Sequence, residues 1–182
     1  MQWRLVRTII VLPGTAVVFI PAVILAVAKD SQFPPEIAAP DQIVFWLSLF
    51  AASIGLGLGV WTVTLFMRCG EGTPAPWDPP KKLVVRGPYR HVRNPMITGV
   101  VLMLFAEAML FQSWPIAVWM MVFFIGNSIY FPLVEEKGLE KRFGDDYREY
   151  RAHVPRWIPR LRAWKQTNNR RGQREPERGA EG

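Results

Sequence analysis

The sequence is poor in the residues that staple a fold or hold a metal. Its one cysteine is Cys69. A disulfide framework and a cysteine-based zinc site are therefore both excluded within one chain. His91 and His153 are the two histidines, too few to suggest a metal enzyme. Charge is missing from long stretches. Residues 9–28, 43–67, 96–111 and 115–134 hold a single ionisable side chain between them, Glu107.

Half of the residues are hydrophobic, with eight Trp and eleven Phe. That is rich for a soluble domain and ordinary for a small membrane protein. The net charge of +7 is uneven, because Arg and Lys crowd into residues 68–94 and 135–182. A basic chain can bind nucleic acid. Here the cations flank apolar runs, as membrane topology requires, so no nucleic-acid partner is expected.

The four runs predict an all-α polytopic bundle of about four transmembrane helices, followed by a cytoplasmic C-terminal helix. The first run reaches spanning length, about 20 residues. A signal peptide is the alternative there, since Ala26-Val27-Ala28 resembles a cleavage site. Pro13 and Pro21 should kink this helix. In the second run, Gly55 and Gly59 form a GxxxG packing pair. The third and fourth runs, joined by Gln112-Ser113-Trp114, should form an antiparallel hairpin. Glu107, an ionisable residue inside a span, either snorkels toward the hairpin end or faces protein or a cavity in a functional role, while Asn127 and Ser128 should bond between helices. The basic flanks place both termini and the 68–94 loop in the cytoplasm, with residues 29–42 and 112–114 outside.

The polar connections carry their own expectations. Four prolines should keep residues 73–80 extended or turned. Residues 81–85 should run extended along the protein surface. Residues 135–152 predict a helix that continues the fourth, with Leu139, Phe143, Tyr147 and Tyr150 at helical spacing. That stripe should lie on the membrane surface or close over the loop. Gly144 could break this helix. Residues 1–162 would form one membrane domain, and residues 163–182, with almost nothing apolar, a disordered basic tail.

One stretch organises the rest. Between Gly87-Pro88 and Pro95 lie Arg90, His91 and Arg93, with Arg86 just before. Gly87-Pro88 predicts a turn, and Pro95 suits the first position of a helix. A basic turn thus sits on the N-terminus of an apolar helix, a place suited to an anionic group. The predicted topology brings residues 86–94 and 135–159 to one membrane face.

Gly87-Pro88-Tyr89-Arg90-His91-Val92-Arg93-Asn94-Pro95 is similar to the "GPYxxxRHP" segment of the isoprenylcysteine carboxyl methyltransferases, a family related to the phospholipid methyltransferases. Glu135-Glu136, Leu139, Phe143-Gly144, Tyr147, Tyr150 and Val154-Pro155 resemble its C-terminal segment. The resemblance spans residues 81–159. It implies an integral membrane methyltransferase that uses S-adenosylmethionine, acting on a lipid-like or small apolar acceptor among membrane lipids. The cofactor-contacting positions it implies are Lys81, Lys82, Leu83, Val84, Tyr89, Asn94, Pro95, Met96, Ile97 and Glu135.

The chemistry of these side chains agrees in kind. The helix N-terminus, aided by Arg93, could take the cofactor carboxylate. Glu135 could pair with its ammonium or accept from its ribose. Tyr89 could stack on adenine or face the sulfonium. An amine acceptor would need a base, for which Glu135, Glu136 or His91 are candidates. Three departures from the family pattern count: Asn94 replaces the His of "RHP", Ile97 replaces a Tyr, and Phe131 stands where a substrate-facing Arg is expected. Phe131 puts a prenylcysteine carboxylate in doubt, although Arg90 or Arg93 could supply the missing cation. A different class of function is a non-catalytic membrane protein whose basic cytoplasmic region binds anionic lipid or a protein partner.

Overall fold

The computed structural model describes residues 10–31, 34–70 and 82–165, and all regular structure among them is helical. Lys81, the prolines of residues 73–80, Arg4, Arg7 and residues 166–182 of the expected tail lie outside the described residues.

The described residues begin with a π-helical stretch, Ile10–Phe19, that continues as α1, Ile20–Ala28. Pro13 lies inside the wide stretch and Pro21 in the first turn of α1. A proline ring cannot accommodate the carbonyl four residues back, and a π turn relieves that clash. The expected kink thus takes the form of a change in helix type. α2, Ile43–Leu65, ends in a π turn, Phe66–Gly70. α3 is Pro95–Leu110, with Pro95 at its first position as expected. α4, Trp114–Tyr130, passes through a π turn, Phe131–Glu135, into α5, Glu136–His153. The predicted continuity of the fourth run with the C-terminal helix is therefore observed. Gly144 interrupts α5 at φ 55°, ψ −128°.

α3 is central. Leu104 is fully buried, and Val100 packs with Ala16 and Val17 of the π stretch. Trp119 Nε1 of α4 donates to the Ala16 carbonyl at 3.0 Å, which pins the first helix to the hairpin. α2 meets α3 backbone to backbone. A Cβ on Gly55 would stand 2.7 Å from the Gly99 carbonyl oxygen, and one on Gly99 would stand 2.9 Å from that of Gly55. The close approach expected of Gly55 is real, whereas Gly59 has open space where its Cβ would be.

Two helical stretches, Ile43–Cys69 and Trp114–His153, are long and apolar enough to cross a membrane. Pro13–Ala28 and Pro95–Leu110 are apolar but shorter. At 1.5 Å per residue α3 is about 24 Å long, under the ~30 Å of a bilayer core. The outer faces of the long stretches are apolar: Phe50, Leu56, Val60, Val122 and Ile129 are all more than half exposed. Contiguous exposure of this kind marks a surface that meets lipid or another protein.

The two ends of the bundle differ. At one end, Ala38 N donates to the Leu110 carbonyl at 2.7 Å and Glu36 N to that of Phe111 at 3.1 Å. The loop before α2 therefore packs on the α3–α4 turn, where Gln112 takes φ 44°. Glu107 near this turn is half-buried, and its Oε2 is buried with no hydrogen-bond partner. Residues 82–94, α5 and the segment after it gather at the other end.

Candidate functional site

The turn expected at Gly87-Pro88 is a 3-10 helix, Gly87–Arg90. Gly87 has φ 55°, and a Cβ there would meet Trp61 and Leu65 of α2 at 3.0–3.2 Å. Backbone conformation and crowding both require glycine. The following residues pair with the segment after α5. Arg93 N donates to the Pro155 carbonyl, Arg160 N to His91, and Trp164 N to Arg90, at 2.9–3.0 Å. Tyr150 Oη donates to the Tyr89 carbonyl at 2.7 Å. The two distant stretches thus converge, as expected.

This pairing settles several side chains. His91 Nδ1 lies 2.7 Å from the Arg160 carbonyl oxygen, and Arg90 Nε donates to the Trp164 carbonyl at 2.7 Å. Both point into the C-terminal segment, so His91 is not a base and Arg90 is not a substrate cation in the cavity described next. Trp164 is buried against Tyr150 and Val154, so the packed body runs past residue 162, where the tail was expected to begin.

Under this clamp lies a cavity of about 360 Å³, within the usual range for small-molecule sites. Leu83, Val84, Tyr89, Arg93, Asn94, Met96, Ile97, Phe131 and Glu135 all lie on its wall. Pro95 is buried behind the wall and Lys82 is exposed away from it. Residues 83–85 run inward rather than along the surface: Val84 is buried, and Leu83 and Val85 pack on the Tyr147–Tyr150 cluster. Of the two places expected for the stripe of Leu139, Phe143, Tyr147 and Tyr150, it takes the second and closes over this loop.

Phe123 and Asn127 were not expected on the wall. With Phe131 and Glu135 they line the cavity at four-residue spacing, a signal open to a period count along the fourth run. Asn127 Nδ2 donates within its own helix, to the Phe123 carbonyl at 2.8 Å, rather than between helices. Pro13 and Phe66 also reach the wall, and only the packing reveals them.

Charge in the site is arranged in two parts. Glu136 is buried, and its Oε1 accepts from Arg156 Nε at 2.8 Å and lies 3.0 Å from Arg93 Nη1. That second contact is an ion pair without hydrogen-bond alignment. Arg93 Nε and Nη1 and Asn94 Nδ2 are all buried with no hydrogen-bond acceptor. These donors stand at the N-terminus of α3, whose first N–H groups have no intrahelical partner. Glu135 is the second part. It begins the polar run after the apolar residues 115–134, lines the cavity and has no ion pair among the described residues. Its side chain is exposed to the open cavity, yet the protein around it and, to a lesser degree, the Glu136 carboxylate push its carboxyl up to about 7. Burial raises the Tyr89 phenol well above its ordinary range, which keeps it protonated. Its ring meets Phe66 edge-on at 5.4 Å.

Arg93 and Asn94 at a helix N-terminus on one side and a carboxyl without an ion pair among the described residues on the other complement a small molecule bearing both an anionic and a cationic group. A lipid-facing bundle with such a cavity at one end has the layout of a membrane enzyme with a polar co-substrate. The phospholipid methyltransferase family model matches residues 47–146, more than half of the chain, from α2 into α5. The chain belongs to the phospholipid methyltransferase family, and so to the superfamily that includes the isoprenylcysteine carboxyl methyltransferases. It is a membrane methyltransferase by family. No curated protein and no solved structure matches it.

Proposed function

We propose that the chain is a multi-pass membrane methyltransferase that takes its methyl group from S-adenosylmethionine held in the 360 Å³ cavity. The observation that carries this reading is the lining of the cavity, with Arg93 and Asn94 at the N-terminus of α3 on one side and Glu135, which has no ion pair among the described residues, on the other. A helix N-terminus with a cation beside it suits an anionic group. The cofactor carboxylate would lie toward Arg93, Asn94 and the first turn of α3, with Glu135 toward the ammonium. Tyr89 supplies an aromatic face beside the sulfonium. The cofactor, when bound, supplies an electrophilic methyl group. The protein's part is alignment and exclusion of water.

The acceptor in this reading is a lipid-like or small apolar molecule with a neutral or weakly basic nucleophile. Phe123 and Phe131 form an apolar wall on α4. Phe131 is buried edge-on to Trp157, with ring centroids 6.3 Å apart. Desolvating a carboxylate against that pair without a cation is unfavourable. A methyl-transfer assay that compares a farnesyl-cysteine analogue, phosphatidylethanolamine and small amines tests this. Preferred turnover of the farnesyl-cysteine analogue would refute it.

The bundle has four spans in this reading, with the cavity and both termini cytoplasmic. Cysteine replacements of Asp30 and Gln173 should label from opposite sides, and labelling from one side would overturn the topology. Titration calorimetry of the detergent-purified protein with S-adenosylmethionine and its demethylated product tests the cofactor. Saturable binding, weakened by Glu135→Gln, is expected. Absence of binding of either compound would favour a non-catalytic lipid- or partner-binding protein.

A further inference from the structure

We propose that residues 157–165 form an interfacial anchor for anionic lipid headgroups. The inference rests on the membrane reading and not on the methyl-transfer chemistry. This segment has no regular secondary structure, yet it is fixed in place. Backbone bonds tie Arg160 to His91 and Trp164 to Arg90, and Arg156 is tied to Glu136. Its level relative to the bilayer follows from Trp157. That ring packs on Phe124 of α4 at 5.0 Å and on Phe131 of the π turn at 6.3 Å. Phe124 lies seven residues before Phe131, about 10 Å further along the apolar helix. Trp157 therefore reaches down beside α4, while Trp164 at the other end of the segment stays on Tyr150 and His153 of α5.

Two side chains point away from the protein at that level. Ile158 is 79% exposed and Leu161 is 99% exposed. Lone exposed apolar residues are ordinary. Trp157, next to Ile158, packs on the helix that leaves Ile125 and Ile129 exposed, with Leu133 exposed in the π turn beyond. The charges around them share one sign. Residues 154–165 hold Arg156, Arg160, Arg162 and Lys165 and no acidic residue. Arg156 is neutralised by Glu136, whereas Arg162 and Lys165 are exposed with no acidic partner among the described residues. Exposed Arg86 and Lys165 both line an open groove with Gly87 and Trp164. Apolar side chains beside unneutralised cations at a bilayer edge fit an anionic leaflet.

The test uses the full chain in nanodiscs. In a Cys69→Ser background, Leu161→Cys or Ile158→Cys carries an environment-sensitive fluorophore. The bilayer is phosphatidylcholine alone or phosphatidylcholine with phosphatidylglycerol. Blue-shifted emission quenched by lipid-borne nitroxide is expected, stronger with phosphatidylglycerol. Arg162→Gln with Lys165→Gln should abolish the phosphatidylglycerol dependence. Quenching by aqueous iodide in both bilayers would overturn the proposal, as would emission indifferent to phosphatidylglycerol. A blue shift that depends on protein concentration would assign the patch to a second copy of the chain and also overturn it. Binding of S-adenosylhomocysteine, measured on the same preparation, separates a failure here from a failure of the methyltransferase reading.

Discussion

Glu135 and Glu136 are adjacent in sequence and should fail in different ways. Glu136→Gln removes the charge that holds Arg93 and Arg156 together. The Glu136 side chain is 7% exposed and that of Arg93 is 11% exposed, so Arg93 cannot turn to water. Its Nε and Nη1 already lack an aligned acceptor. Breaking a buried ion pair from one side costs about 3–5 kcal/mol. Arg156, at 27% exposed, can rehydrate, and the Gln carbonyl still accepts one bond. We therefore expect the low end, about 3 kcal/mol, a large part of a typical ~5–15 kcal/mol. For a chain of this length that corresponds to a fall of about 6–12 °C in Tm. Glu135→Gln should leave Tm unchanged or slightly higher, because Glu135 is exposed to the cavity and has no ion pair to lose among the described residues. Its defect should appear in cofactor binding. Loss of a charge-assisted bond, about 1.5–3 kcal/mol, weakens affinity about ten- to a hundredfold. The assay is thermal unfolding and calorimetric titration with S-adenosylhomocysteine on both variants in one detergent. Equal Tm values, or a stability loss confined to Glu135→Gln, would refute the division of roles.

Further outcomes follow from the same geometry. Binding of the cationic cofactor requires Glu135 as carboxylate, so affinity should rise with pH to about 7 and level off above it, and Glu135→Gln should flatten this limb in a pH series of titrations. The folded carboxyl lies above its ordinary 4.5, so its contribution to ligand-free stability is complete below 4.5 and is lost as pH rises through about 7, which unfolding across that range reads out. Gly99→Ala places a methyl 2.9 Å from the Gly55 carbonyl and should destabilise by about 1–3 kcal/mol, whereas Gly57→Ala, which meets open space, should not; thermal unfolding of the pair checks this. Gly144→Ala forces an L side chain to φ 55° and should cost about 1–3 kcal/mol by the same measurement.

How far the sequence alone reached depends on the kind of signal. Apolar runs and their breaks are local, so the helices, the Pro95 start and the tight hairpin were legible. The convergence of residues 86–94 with 135–159 was legible because topology and motif agreed. Partnerships were not. Nothing in the sequence says that Glu136 pairs with Arg156, twenty residues on, or that His91 bonds the Arg160 carbonyl. Trp164 looked like part of a polar tail because its neighbours are charged. Its burial comes from Tyr150, Val154 and a stack on the His153 ring. Length was legible too: the third run, residues 96–111, matches a helix of sixteen residues, Pro95–Leu110, bounded by Asn94-Pro95 and the Phe111–Ser113 turn.

The π turn at Phe131–Glu135 joins the lipid side of the molecule to its polar side, and one residue accounts for it. Pro132 has no N–H and its ring crowds the carbonyl four residues back, so the α-helical ladder cannot continue through it. The chain widens by one residue per turn instead. Upstream, α4 presents Phe123, Asn127 and Phe131 to the cavity in regular register. In an undistorted helix the next two positions would diverge by about 100°. Here Glu135 and Glu136 both reach the wall, one opening into the cavity and the other buried against Arg93 and Arg156. Two neighbouring carboxylates can then do different work: one is left unpaired for a cationic ligand, and the other fixes the arginine that faces an anionic one. A substitution that straightened the helix at residue 132 would be felt at the far wall of the cavity, through Arg93, before it was felt in the hydrophobic core.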